Sequence, residues 1–121
     1  MIVKWLAPAL AAASCLAQAG EADVVGVDAQ LESDRTFRFQ VTVRHADSGW
    51  EHYADRWQVL GPDGTVLGTR TLYHPHVGEQ PFTRSLSGVE IPDGVTRVTV
   101  RAGDSVHGFG GVQVQVDLTP P

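Results

Sequence analysis

The 121-residue chain contains one cysteine and one lysine, and neither is expected in the mature protein. Cys15 and Lys4 both lie in residues 1–19, which combine a positive start, an apolar alanine-rich stretch and a small-x-small signal at Ala17-Gln18-Ala19. These features are typical of a secretory signal peptide cut before Gly20. The remaining domain then has no disulfide and no thiolate ligand, so its hydrophobic core alone has to stabilise it.

A second processing site competes with this interpretation. Cys15 follows Ala12-Ala13-Ser14, which faintly resembles a bacterial lipoprotein processing site, although the usual leucine three residues before the cysteine is missing. Ala17-Gln18-Ala19 is the better cleavage signal, and the apolar stretch is too short for a stable bilayer anchor. We therefore expect a soluble periplasmic or secreted protein without a membrane span, and leave open whether Cys15 is lipidated.

Positive charge is scarce. The formal net charge of −5 becomes −6 once Lys4 leaves, and the eight remaining basic residues are arginines scattered along the chain. Nucleic acid and anionic membrane surfaces bind clustered positive charge, so they are poor candidates as partners. The length of residues 20–121 suits one domain and not two.

Helical periodicity is also absent after residue 20, and alternation of period two replaces it. Phe37, Phe39, Val41 and Val43 share one parity, with polar residues between them. Such alternation predicts half-buried strands. Turn sequences occur at Gly61-Pro62-Asp63-Gly64 and Pro92-Asp93-Gly94. Seven strands are predicted, at residues 24–31, 36–45, 53–60, 65–73, 82–89, 95–102 and 111–118.

Seven short antiparallel strands at this spacing predict an all-β fold, a two-sheet sandwich over residues 20–121. The strand order resembles that of fibronectin type III and immunoglobulin-like domains. Trp57 lies in the middle of the third strand, where such domains often bury a tryptophan. The resemblance is architectural and implies no functional residues.

Five histidines come from three separate segments, yet alternating strand directions place them all at one end of the predicted sandwich. They are His45, His52, His74, His76 and His107. Longer loops and several acidic and aromatic residues occupy the same end, whereas the opposite turns are short. Because histidine is the commonest neutral nitrogen ligand, this end suggests a metal site or a pH-sensitive patch.

His74-Pro75-His76 is the sharpest local motif, because proline stiffens the backbone between two imidazoles. Such a pair suits Cu(II), zinc or nickel, with a third ligand from His52, His107 or Glu79. The predicted metal ligands are therefore His74, His76, His107 and His52. Each also has a plain structural interpretation: a strand terminus for His74 and His76, a packed loop for His52 and a solvated histidine for His107. His45 shares the parity of the core residues, so we expect a hydrogen-bonded histidine there rather than a ligand.

Two other functions compete with metal binding. A metal-free protein or glycan interaction domain would use the aromatic side chains at the same end, Trp50, Tyr53, Tyr73 and Phe109. An enzyme is not expected. Gly103-Asp104-Ser105 resembles the nucleophile segment of some esterases, but too few residues follow it to supply the acid and base of a triad.

Overall fold

The computed structural model describes residues 20–118, and it confirms the predicted all-β fold of seven antiparallel strands. The predicted leader, residues 1–19, lies outside the described residues. Within residues 20–118 no helix is long and apolar enough to cross a membrane. The strands are β1 Asp23–Leu31, β2 Phe37–Arg44, β3 Ala54–Leu60, β4 Val66–Thr71, β5 Phe82–Val89, β6 Arg97–Asp104 and β7 Val114–Asp117.

The strands form two sheets, one of three strands in the order β1-β2-β5 and one of four in the order β4-β3-β6-β7. All neighbouring strands are antiparallel. Strands β2, β4 and β6 therefore run toward one end of the domain, which we call the upper end, and β1, β3 and β5 start there. All five histidines lie in the connections between strands at the upper end.

One hydrophobic core lies between the two sheets. In β2 the buried side chains are Phe39, Val41 and Val43, and in β3 they include Trp57 and Val59. Trp57 is fully buried. Alternation of period two places these residues on the inner faces, as the sequence pattern predicted. Apolar residues of β1, β5 and β6 complete the core. Within residues 20–118, these buried side chains form a single hydrophobic cluster.

The two ends of the domain differ. At the lower end the β3–β4 turn is tight, with Gly64 at a φ of 88° and the Asp63 carboxylate accepting the backbone N–H of Thr65. At the upper end longer loops, residues 45–53, 72–81 and 105–113, connect the strands. The buried polar residues His45, Asp47, His76 and Asp104 are all found at this upper end.

Candidate metal centre

Three imidazoles stand next to one another at the upper end. The ring centroids of His45 and His52 are 4.7 Å apart, and those of His52 and His107 are 5.0 Å apart. His45 follows β2 in one sheet, whereas His52 precedes β3 and His107 follows β6 in the other. The cluster therefore lies where the two sheets meet, and the antiparallel strand directions bring its members together.

The Asp104 carboxylate lies among these rings, with a side chain that is 0% exposed. It is the last residue of β6, and the next turn aims the backbone N–H groups of Val106 and His107 at Oδ1, at 2.8 and 2.7 Å. His52 Nε2 and His107 Nδ1 also approach Oδ1, each at 3.1 Å.

Asp104 is an anion in this environment. Burial by itself would raise the pKa of the carboxyl, but the N–H groups of His107 and Val106 outweigh that effect and hold the pKa below its usual range. Within residues 20–118, Oδ2 has no hydrogen-bond partner, and His45 Nε2 lies 3.9 Å from it. One oxygen of a buried carboxylate is thus unused, and it faces an imidazole nitrogen.

Asp47 fixes the tautomer of His45. His45 Nδ1 lies 2.6 Å from Asp47 Oδ1, and both side chains are 0% exposed. The carboxylate also accepts the backbone N–H of Ala54 on Oδ1 and that of His76 on Oδ2. A carboxylate can only accept, so His45 Nδ1 donates, and in a neutral ring Nε2 carries a lone pair.

That lone pair points at oxygen atoms. His45 Nε2 lies 3.3 Å from the Gly20 carbonyl oxygen and 3.9 Å from Asp104 Oδ2, both of which are acceptors. A neutral imidazole would therefore direct a lone pair at two electron-rich atoms in a buried space, which is unfavourable. A cation on Nε2, either a second proton or a metal ion, removes the conflict.

The described residues contain one group of donor atoms that could surround an ion. One ligand atom from each of His45, His52 and Asp104 lies within 4.8 Å of the others. Donors around a tetrahedral zinc ion at 2.0–2.1 Å are about 3.3 Å apart, so the most widely spaced donors in the group would approach each other by up to about 1.5 Å on binding. His52 and His107, with side chains 23% and 38% exposed, lie on the solvent side and can make that adjustment.

The predicted pair His74 and His76 is not brought into this cluster. His74 is exposed, with its ring 6.0 Å from that of Trp50. His76 is buried, stacks on Phe82 at 3.9 Å, and accepts a hydrogen bond from Arg84 Nη2 at 2.8 Å. Burial, together with the adjacent Arg84 charge, lowers the pKa of His76. Their role as ligands stays a prediction, whereas His52 and His107 do lie in the cluster.

Sequence reasoning passed over two members of the group. His45 was interpreted as a hydrogen-bonded core histidine, and it has that partner in Asp47, but its other nitrogen faces the cluster. Asp104 belongs to the acidic residues expected at this end and to an esterase-like segment, but it was not predicted as a metal ligand. The pattern His45-Ala46-Asp47 was the available signal, because a carboxylate bonded to Nδ1 commonly orients a metal-binding imidazole.

The predicted aromatic surface divides into two places. Trp50 and Tyr73 are 64% and 69% exposed, and the Trp50 ring makes an edge contact with Tyr53 at 5.6 Å. Phe109 is elsewhere, with the guanidinium carbons of Arg101 and Arg56 at 3.9 and 4.3 Å from its ring centre. Trp50 and Tyr53 therefore form an aromatic pair beside His74, whereas Phe109 packs against arginines.

Comparison with known proteins gives one informative relative. A protein of Halomicrobium mukohataei that carries the name "Putative lipoprotein" is 46% identical over 97 residues, which cover 80% of this chain and 47% of that protein. The chain thus spans about half the length of the curated relative that it matches. No family model matches the sequence, and no solved structure matches it.

Proposed function

We propose that this domain is an exported binding module that holds one transition-metal ion, copper or zinc, at the upper end. The ligands are His45 Nε2, His52 Nε2 and an oxygen of Asp104, with His107 beside them as a fourth. The observation that carries the proposal is the position of His45 Nε2, in a ring oriented by Asp47, at 3.3 Å from the Gly20 carbonyl oxygen and 3.9 Å from Asp104 Oδ2. A metal ion at this point uses the Nε2 lone pair and the unpaired Asp104 Oδ2 together.

The donor chemistry suits these metals. Imidazole nitrogens favour zinc and copper, and a carboxylate oxygen completes common zinc sites. Asp47 supplies the hydrogen bond that orients a metal-binding histidine and raises its basicity. We assign the centre to binding, as a carrier, buffer or delivery factor.

The cellular setting supports the same function. The relative named as a lipoprotein is in keeping with export of this chain, which the leader-like residues 1–19 also predict. We further infer that the fold is a fibronectin type III or immunoglobulin-like sandwich, because its sheets contain strands 1-2-5 and 4-3-6-7 around a buried Trp57. Whether the mature protein is periplasmic, secreted or anchored through Cys15 depends on how the leader is processed.

A matched pair of variants tests the site. His52→Ala with His107→Ala removes two half-exposed rings of the cluster, whereas His74→Ala removes an exposed ring at the same end but outside it. We expect the wild type and His74→Ala to bind one Cu(II) or Zn(II) ion per chain in equilibrium dialysis. The double variant should lose at least about 100-fold in affinity, because even residues that only orient ligands cost about 10–100-fold each.

Two outcomes would contradict the assignment. If the wild type binds neither ion in dialysis, and protein isolated from its native compartment contains no metal, the domain is not a metal module. If His74→Ala loses binding and the double variant keeps it, the ion is held by the His74-Pro75-His76 segment instead.

A second function has one observation in its favour. Trp50 and Tyr73 expose most of their surface to solvent, and the Trp50 ring makes edge contacts with Tyr53 and His74. Exposed aromatics of this kind supply contact area to protein or glycan partners. Trp50→Ala should weaken partner binding without changing metal uptake, and binding that survives both chelation and this substitution would exclude this surface as the contact.

A further inference from the structure

Gly20 occupies the centre of the histidine cluster. Its carbonyl oxygen lies 3.1 Å from His52 Nε2 and 3.3 Å from His45 Nε2. A Cβ at this position would lie 2.6 Å from Cε1 and 2.9 Å from Nε2 of His107. A side chain at this position would therefore require the His107 ring, which is 38% exposed, to move away from the backbone.

Gly20 is also the residue at which the sequence predicts the mature chain to begin. The small-x-small signal at Ala17-Gln18-Ala19 directs cleavage to the bond before it. Cleavage there converts the Gly20 nitrogen from an amide, which does not bind metal ions readily, into a free amine. Three covalent bonds separate that nitrogen from the Gly20 carbonyl oxygen, so the two atoms can close a five-membered ring with a single metal ion.

We propose that removal of the leader completes the metal centre, because the released α-amino group of Gly20 becomes a ligand beside His45 and His52. The Gly20 carbonyl oxygen, already in contact with both imidazoles, is the second atom of the chelate. The inference rests on the proposed function, since it adds a ligand to that same centre. It makes the unprocessed chain a weak binder and the exported chain a strong one.

The composition of the chain allows a selective test. Lys4 is the only lysine and lies in the leader, so a chain starting at Gly20 has its α-amine as its only primary amine. The full chain is expressed with export, and intact mass and N-terminal sequencing establish where the mature protein begins. Acetylation of the metal-free mature protein with an amine-selective ester, followed by hydroxylamine to clear any acyl-histidine, then adds one acetyl group.

Cu(II) and Zn(II) are titrated separately into the acetylated and the untreated protein. We expect the mature chain to start at Gly20 and acetylation to weaken binding by at least about tenfold, the smallest loss typical of a removed site component. Bound metal should in turn protect the amine from acetylation. Thermal unfolding of both metal-free proteins controls for the fold, and the protection measurement, which uses unmodified protein, stays decisive if acetylation disturbs it.

Each alternative outcome has a defined meaning. Equal affinity before and after acetylation, with no protection of the amine by metal, would overturn the ligand role of Gly20 and leave the proposed function intact. A mature chain that begins at Cys15 or elsewhere would overturn it as well. Failure of the untreated protein to bind either ion would remove the proposed function itself.

Discussion

Replacing Asp47 by asparagine removes the negative charge that orients His45 and changes the shape of the side chain very little. Asp47 is fully buried and accepts three hydrogen bonds, from His45 Nδ1, Ala54 N and His76 N, at 2.6, 3.0 and 2.7 Å. In its better orientation the amide keeps its oxygen for His45 and Ala54 and turns its NH2 group toward His76. The variant therefore loses one bond outright and weakens two.

The size of the effect follows from those three contacts. The His76 N–H left without an acceptor costs about 1–3 kcal/mol, and the loss of charge weakens the other two bonds by up to about 1 kcal/mol each. Neutralising a buried carboxylate offsets part of this. We expect the free energy of unfolding to fall by about 2–4 kcal/mol, which a domain with about 5–15 kcal/mol of stability survives. Metal affinity should fall by about 10–100-fold.

Urea unfolding of metal-free protein and competition titration with Cu(II) or Zn(II) measure the two effects separately. Asp55→Asn is the matched control, because Asp55 is on the same end, its partly exposed carboxylate pairs with Arg56, and it has no other side-chain partner among residues 20–118. We expect it to change stability by less than about 1 kcal/mol and to leave affinity unchanged. Wild-type affinity in Asp47→Asn, or ¹⁵N spectra that place the His45 proton on Nε2 alone in metal-free protein, would refute the reasoning.

Other substitutions probe the remaining features. The pKa of His76 is lowered in the folded state, so the contribution of neutral His76 to stability is full above the unfolded pKa of about 6.5 and is lost as pH falls through the folded pKa. In urea unfolding over this acid range, the wild type should therefore lose stability relative to His76→Gln. Parallel pH dependences of the two proteins would contradict this prediction. Gly20→Ala should displace the ring of His107 and weaken Zn(II) binding in titrations. Unchanged affinity would contradict this prediction, because it would show that moving the His107 ring does not affect binding. Trp57→Phe removes a buried Nε1–H that has no partner within residues 20–118, so it should cost less than about 2 kcal/mol in thermal unfolding, against about 3–5 kcal/mol for Trp57→Ala.

The strands were predictable because their signal is local. Alternation in residues 37–43 and turn chemistry at Gly61–Gly64 act within a few residues, so β2 and the β3–β4 hairpin could be predicted from neighbouring side chains alone. The last strand was predicted too long, over residues 111–118, whereas β7 is Val114–Asp117. Its first part instead pairs with the start of β1, where Val24 N donates to the Val112 carbonyl.

The composition of the histidine cluster was harder to predict, because it depends on side-chain direction over long sequence separations. Strand direction could place His45, His52 and His107 at one end, but not decide which nitrogen of His45 faces inward. That choice depends on Asp47, whose other bonds reach Ala54 and the distant His76. The stiff His74-Pro75-His76 segment predicted a pair of ligands, but in the structure the His74 ring contacts Trp50 and the His76 ring stacks on Phe82.

The centre takes donors from both sheets: His45 follows a strand of one, and His52 and Asp104 belong to segments of the other. An ion held there would cross-link two layers that apolar packing, loops and a few hydrogen bonds also join, a substitute for the disulfide that this domain lacks. By mass action, free metal at 100 times its dissociation constant would add about 2.7 kcal/mol to the folded state. Resistance to heat and to proteases would then rise and fall with metal supply, so scarcity would shorten the lifetime of the protein.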